Sequence, residues 1–385
     1  MVLLYILLFF ILLVILFFLY VRIKYQFWAV QPVFHFYDLY YWFVNVGIIR
    51  TELPKKNRYT NFNEIETYDF ENLNEIKINE FTNLIQFNYL KNKENTFSPK
   101  KDNIIPYFTG HNQKTYWTFY YKPEILIDNK NETTIKDKKL VAVITCRPLH
   151  IEIINKNKFD VYYVDYLCVD KQHRKKNIAP EIIQTHEYNQ SHLNKNICVS
   201  LFKREEELTG IIPLTIYNTY CFYMQNWNPP ASLPARIKHL VVDKQNIYYM
   251  HNFINENKNK WEITIMTEIS NIIELIETKN VYVSMMLVDN NIVSIYVFKK
   301  TCTFIEKDKE IISCIGSING THLTRDEFIQ GFKISLWSII KTNTNFKYLT
   351  IEDLSDNRCI IDNISMKSPP IIVSPCAYFF YNFAY

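Results

Sequence analysis

The first 21 residues, Met1 to Val21, contain no charged side chain, and Arg22 and Lys24 follow at once. A run of Leu, Ile, Phe and Val rising about 1.5 Å per residue extends roughly 31 Å as a helix, enough to cross a hydrocarbon core of about 30 Å. A cleaved secretory signal would have a basic start, a shorter apolar stretch and small residues at a cleavage site, and none of these precedes Tyr20, Val21 and Arg22. Residues 1–21 therefore read as a transmembrane anchor. With basic residues only after the span, the positive-inside rule makes this a single-pass membrane protein with its remainder in the cytosol. Eight scattered cysteines without a CxxC pair fit a reducing compartment.

Beyond the anchor the chain has the means to fold. It carries 27 Phe and 28 Tyr, which argues against disorder. Its 43 basic and 39 acidic residues are too balanced for a nucleic-acid partner. No HExxH, Walker loop or zinc-spaced Cys/His set occurs, so no metal is expected.

The order of elements repeats. In the first half, residues 116–121, 139–147 and 161–169 read as strands, a helix runs from Ile178 to about Leu193, and Ile197 to Phe202 is a strand. In the second half, Val281 to Val288 and Ile292 to Phe298 make a hairpin, Ile311 to Ser317 is a strand, Asp326 to Lys341 a helix and Phe346 to Ile351 a strand. Pro229 and Pro230 punctuate the two. The expectation is an α/β (α+β) fold of two tandem units, 22–230 and 231–385, forming one pseudo-symmetric globule. Phe328, Phe332, Leu336 and Ile339 recur at the spacing of a packed helix face, and residues 50–78 read as a polar surface wrap. His186 and His192 read as solvated.

The most loaded stretch is Val164 to Pro180 (VDYLCVDKQHRKKNIAP): an apolar strand, a short cationic loop and a helix start. Backbone N–H groups of such a loop and a helix N-terminus converge on one point, and Arg174, Lys175 and Lys176 add charge, which makes a pyrophosphate cradle. Asn177 tolerates a left-handed backbone, and Ala179 permits close approach. A solvated basic turn is the plainer reading of three basic residues alone; their place between a strand and a helix favours the cradle.

The R-x-x-N-x-A loop resembles the acyl-CoA-binding motif of the Gcn5-related acyltransferases. Tyr166-Leu167-Cys168-Val169 with Lys171 and Ile178-Ala179-Pro180 more narrowly resembles the glycylpeptide N-myristoyltransferases, themselves a duplicated acyltransferase fold. Further matches occur in order: Tyr25-Gln26-Phe27-Trp28 with Gln31-Pro32-Val33, Thr209-Gly210-Ile211-Ile212, Val293-Ser294-Ile295-Tyr296, Leu349 to Asn357, and Tyr378 to Phe383. The resemblance implies transfer of a C14 acyl group from myristoyl-CoA to the N-terminal glycine of a peptide or protein, by a monomer. It implies a donor site at Gln26, Phe27, Trp28, Cys168, Val169 and Arg174 to Ala179, that is Arg174, Lys175, Lys176, Asn177, Ile178 and Ala179. It also implies an oxyanion hole from the Tyr166 and Leu167 amides, and peptide contacts at Thr209, Gly210, Tyr296 and Asp353. Phe27 and Trp28 read equally as an aromatic belt just beyond the bilayer.

The pattern departs from the family at several points. In the family the C-terminal carboxylate acts as base, but only Ala384 and Tyr385 follow Phe383, and the K-F-G-x-G-D-G loop is replaced by residues 368–374 without Gly or Asp. An acidic loop falls near residues 90–94, here net basic, and Asp165 stands at the signature's Asn. The candidate bases are Asp165, Asp353 and the Tyr385 carboxylate. Two other readings stay open: an inactive binder of acyl-CoA or lipidated peptide at a membrane, and a membrane-tethered N-acetyltransferase.

Overall fold

Val2–Lys24 form one uninterrupted helix, α1, in a computed structural model that describes residues 2–44, 46–90, 95–128, 133–154, 158–205, 210–306, 308–320 and 322–385, the side chains of 125–128 and 133–136 apart. Among the described residues α1 is the one helix long and apolar enough to cross a membrane, a property that a secretory signal shares. It does not stop at Val21. The Tyr25 N–H donates to Val21 O at 2.9 Å, so the basic residues expected as a link continue the helix. Val21 is buried, while the preceding apolar residues are exposed.

The repeat is present as a continuous mixed sheet. The first half contributes β1 (Ile65–Asp69), helix α3 (Glu75–Asn88) before β2 (Tyr116–Asp128), then β3 (Thr133–Ile153) and β4 (Lys158–Val169), with α2 (Leu39–Phe43) preceding them all. Helix α4 (Ile178–Leu193) then returns the chain to β5 (Ser200–Glu205), parallel to β4. The second half repeats this: β7 (Ile237–Val241), β8 (Val281–Val288), β9 (Asn291–Ile305) and β10 (Lys309–Asn319) lead through α5 (Arg325–Thr342) to β11 (Phe346–Glu352), parallel to β10. The strand expected at 197–202 begins three residues later, because Ile197 and Val199 are buried as an entry segment and only the Val199 carbonyl joins the ladder, accepting from Tyr162 N–H.

Each half gives its last strand to the other. β6 (Thr215–Tyr223) follows β5 in sequence but pairs with β11, and β12 (Ile372–Tyr381), reached from β11 through α6 (Arg358–Lys367), pairs with β5. β6 and β12 also pair with each other. The sheet order is therefore β1-β2-β3-β4-β5-β12-β6-β11-β10-β9-β8-β7. A cut at residue 230 would remove a strand from each half, so the two units share one fold. Phe328, Phe332, Leu336 and Ile339 of α5 are all buried against this sheet, as their spacing predicts.

Helix α4 departs from its expectation. Its polar residues Gln184, Thr185, His186, Glu187, Gln190 and Ser191 are buried rather than solvated, because the segment before β1 lies across them. Asn57 Nδ2 and Gln31 Nε2 both donate to Gln184 Oε1, at 2.9 and 3.1 Å, and the Asn61 N–H donates to Thr185 Oγ1 at 3.0 Å. His186 Nδ1 lies 2.8 Å from Thr118 Oγ1, while His192 is exposed as expected. Burial of this face pushes the Glu187 carboxyl up to about 7, against the opposing pull of Arg50, Ser191 and Gln190. A carboxyl whose folded value is raised contributes stability that is full below the unfolded value near 4.5 and lost as pH climbs through about 7. Glu187→Gln should therefore flatten the fall in unfolding midpoint between pH 5 and pH 8, by up to about 3 kcal/mol, as read by urea titration at both pH values.

Candidate active site

Strands β4 and β5 pair over only three residues, Tyr162 to Val164 with Ser200 to Phe202. Both strands run on, β4 to Val169 and β5 to Glu205, so they diverge and open a cleft. On the β4 wall the register against β3 jumps from Thr145↔Asp165 to Val143↔Cys168, so Tyr166 and Leu167 oppose Ile144 alone. Tyr166 has φ of 49°, and Thr145 Oγ1 donates to the Asp165 carbonyl at 3.0 Å. This is a β-bulge that turns two successive backbone amides away from the ladder. These are the two amides that the family resemblance implies for an oxyanion hole.

Asp165 sits on one of them. Its Oδ1 accepts the Tyr166 N–H at 2.8 Å. A carboxylate and a thioester oxygen cannot share that donor, so a carbonyl arriving at the bulge must displace Asp165.

The cleft is covered by the segment after α1. Trp28 stacks on Phe202, the last residue of β5 paired with β4, with ring centroids 5.8 Å apart and planes at 17°. Phe27 packs edge-on against Tyr59 at 5.2 Å and is buried in protein, which removes its alternative reading as an aromatic facing the bilayer; Gln26 is exposed.

Below the cleft, β4 ends and a left-handed backbone at Lys175 (φ 63°) and Asn177 (φ 61°) delivers the chain to α4. Ile178 is buried and anchors the helix start, with Ala179 half-buried behind it. Alternating handedness followed by a helix N-terminus forms an anion-binding concavity. Lys175 and Lys176 are exposed beside it. Arg174 is used differently: its guanidinium donates to Val169 O at 3.2 Å and to Asn88 O at the end of α3. It braces the loop instead of pointing into it. Cys168 is likewise buried, and burial pushes its thiol up to about 12, which makes it a packing residue. Changing Lys175 and Lys176 together to Ala should weaken CoA affinity about three- to tenfold and lower its salt dependence, measured by titration calorimetry. Arg174→Ala should instead lower the unfolding midpoint, by about 1–3 kcal/mol for the carbonyls left without their donor.

Across from the bulge the two halves meet in a chamber of charged and phenolic groups that sequence reading missed. The Tyr107 ring has Lys299 Nζ 5.1 Å and Arg147 Cζ 5.4 Å from its centroid, and Arg147 also lies 5.2 Å from the Tyr163 ring. Lys203 Nζ and Glu352 Oε1 form an ion pair of 2.9 Å. Burial pulls Lys299 below the ordinary lysine range; Asp165 and Glu352 oppose this, while Arg147 and Lys203 reinforce it. The ring contacts tie Arg147 and Lys299 to Tyr107, and the ion pair ties Lys203 to Glu352. The only signal in the sequence was indirect: Arg147 and Lys299 end apolar strand runs, and strand pairing that cannot be read from spacing brings them together.

The other predicted contacts lie elsewhere. Tyr296 is fully buried, its hydroxyl donating to Phe328 O at 2.6 Å, so it is a core residue and not a peptide contact. Asp353, just beyond the end of β11, pairs with Arg358 at 2.8 Å. Gly210 abuts Phe36 near the end of α1, and Thr209 lies outside the described residues, as do Lys91 to Glu94. Tyr385 packs on the cluster of Ile153 and Phe159 and donates its hydroxyl to Glu262.

Two tandem units, each with a parallel strand pair, the first pair splayed beside a bulge and an anion-binding loop, define the duplicated fold of the Gcn5-related acyltransferases. A tandem protein of that type from the clavulanic acid biosynthesis pathway superposes with a TM-score of 0.55 at 8% identity, covering 82% of this chain and 98% of that one. Residues 49–212 match the family model for myristoyl-CoA:protein N-myristoyltransferase, N-terminal domain. Saccharomyces cerevisiae N-myristoyltransferase with bound myristoyl-CoA superposes with a TM-score of 0.69 at 14% identity, covering 94% of this chain and 93% of that one; a second structure of it gives 0.71 at 15%, covering 93% and 87%. No curated protein matches the sequence. The chain is thus similar to the N-myristoyltransferases: residues 49–212 match that family's N-terminal domain, and the fold is shared over 94% of the chain.

Proposed function

We propose that this chain is a membrane-anchored N-myristoyltransferase that moves a tetradecanoyl group from myristoyl-CoA to the N-terminal glycine amine of a protein, with α1 as anchor and the catalytic fold in the cytosol. The observation that carries the reading is Asp165 on the Tyr166 amide at 2.8 Å. The thioester carbonyl takes the Tyr166 and Leu167 N–H groups, which favours the developing oxyanion by about 3 kcal/mol per donor. Asp165, displaced from its amide, then lies beside the carbonyl and accepts a proton from the incoming ammonium. The neutral amine forms the C–N bond, the C–S bond breaks, and the thiolate of CoA leaves with the second amine proton. Three cations against two carboxylates, Arg147, Lys203 and Lys299 against Asp165 and Glu352, disfavour an ammonium in the chamber and so ease the first proton transfer.

The test is competition at the donor site of the full-length protein in detergent. Myristoyl-CoA should displace a fluorescent acyl-CoA at concentrations at least tenfold below those needed for acetyl-CoA. The opposite order would support an N-acetyltransferase, and binding without release of CoA in the presence of a glycine-initiated peptide would support an inactive binder.

A further inference from the structure

The ring of Phe17 on α1 lies 6.1 Å from that of Phe36 and 6.2 Å from that of Tyr37, and Phe18 lies 6.0 Å from Tyr37. The last part of α1 therefore packs against the fold rather than projecting from it. At about 1.5 Å per residue, a core of about 30 Å consumes essentially all of Val2 to Val21. Phe17, five residues before Arg22, then sits roughly 7 Å inside the apolar layer, and whatever touches it shares that depth.

The residues after Phe36 suit that depth. Helix α2 and its continuation leave Leu39, Tyr40, Trp42, Phe43 and Val44 exposed, with Leu39 65% and Phe43 83% accessible, an apolar patch without polar cover. Between Phe36 and Ile48 the sequence holds one acidic or basic residue, Asp38, and its carboxylate is already taken by the His35 N–H at 2.9 Å. The Trp42 indole N–H is satisfied internally, donating to Phe36 O at 3.1 Å. Polar atoms matched from within and aromatic faces turned outward are the properties of a segment lying in a membrane interface.

We infer that residues 36–44 form a second, monotopic contact with the bilayer, continuous with α1, that holds the fold against the membrane surface. This rests on the proposal that α1 spans the membrane. It seats the Trp28 cover of the acyl cleft within a few residues of the lipid, so that a lipidated product leaves at the membrane surface.

Trp42 provides the test, using the full-length protein and its Trp42→Phe variant reconstituted into phosphatidylcholine vesicles. Lipids brominated on their acyl chains should quench the wild-type fluorescence, and Trp42→Phe should remove a distinct share of that quenching, while acrylamide leaves the Trp42 component largely untouched. Equal bromolipid quenching in both proteins, with Trp42 open to acrylamide, would overturn the inference while leaving the anchor standing. Shielding of Trp42 from both quenchers would also overturn it, by showing a protein surface on the patch. A full-length protein that fails to float with vesicles would overturn the anchor itself and the inference with it.

Discussion

Asp165→Asn should lower kcat by about 10²- to 10⁴-fold, the range expected when a general base is lost, with little change in acyl-CoA affinity. The exchange is conservative where structure is concerned, because the Asn carbonyl can still accept the Tyr166 N–H that Asp165 Oδ1 holds at 2.8 Å. The bulge and its φ of 49° should persist, so lost activity would report lost proton transfer. Asp165→Glu, one methylene longer, should recover part of the rate. An Asp165→Asn protein with wild-type kcat would remove Asp165 from the chemistry.

The second large effect concerns stability. Burial lowers the Lys203 ammonium, but Glu352 at 2.9 Å and Tyr378 outweigh it and hold the group above the ordinary lysine range. The pair bridges β5 of the first half and β11 of the second, across the two exchanged strands. Side-chain exposures of 20% and 10% leave either partner alone as an uncompensated buried charge. Lys203→Met should therefore cost about 3–5 kcal/mol, whereas Lys203→Met with Glu352→Leu should cost much less or nothing. Urea unfolding of the three proteins in one detergent decides it. A single variant within about 0.5 kcal/mol of wild type would show that water reaches the pair and that the bridge does not tie the halves together.

Much of the fold was legible because its elements carry their own periodicity. Val281–Val288 and Ile178–Leu193 lie where their patterns predict, and the buried row on α5 follows from its spacing of four, four and three. Properties set by pairing were not legible. The exchange of β6 and β12 leaves no mark on either strand, and the divergence of β4 from β5 appears only as a ladder that stops at Val164 and Phe202. The site divides in the same way. The left-handed backbone at Asn177 is a local property, and it occurs where the sequence leads one to expect it. Arg174 was misplaced because a basic residue beside a phosphate cradle is indistinguishable by type from one that braces a helix end, as this one does at Asn88. Asp353 stands out in sequence because it falls in the stretch from Leu349 to Asn357, but nothing in that stretch shows that its carboxylate pairs with Arg358. His186 reads as solvated because the helix is polar, and its cover at Gln31, Asn57 and Asn61 comes from more than a hundred residues earlier.

The account stands most directly on the fate of the acyl group. Full-length protein in vesicles is incubated with radiolabelled myristoyl-CoA and a glycine-initiated peptide, and free CoA and labelled peptide are counted together. The predicted result is one CoA released per peptide acylated, with the label on the α-amine as an amide that survives hydroxylamine. Acyl-CoA held at the cleft with no CoA released, or label that hydroxylamine removes, would contradict it.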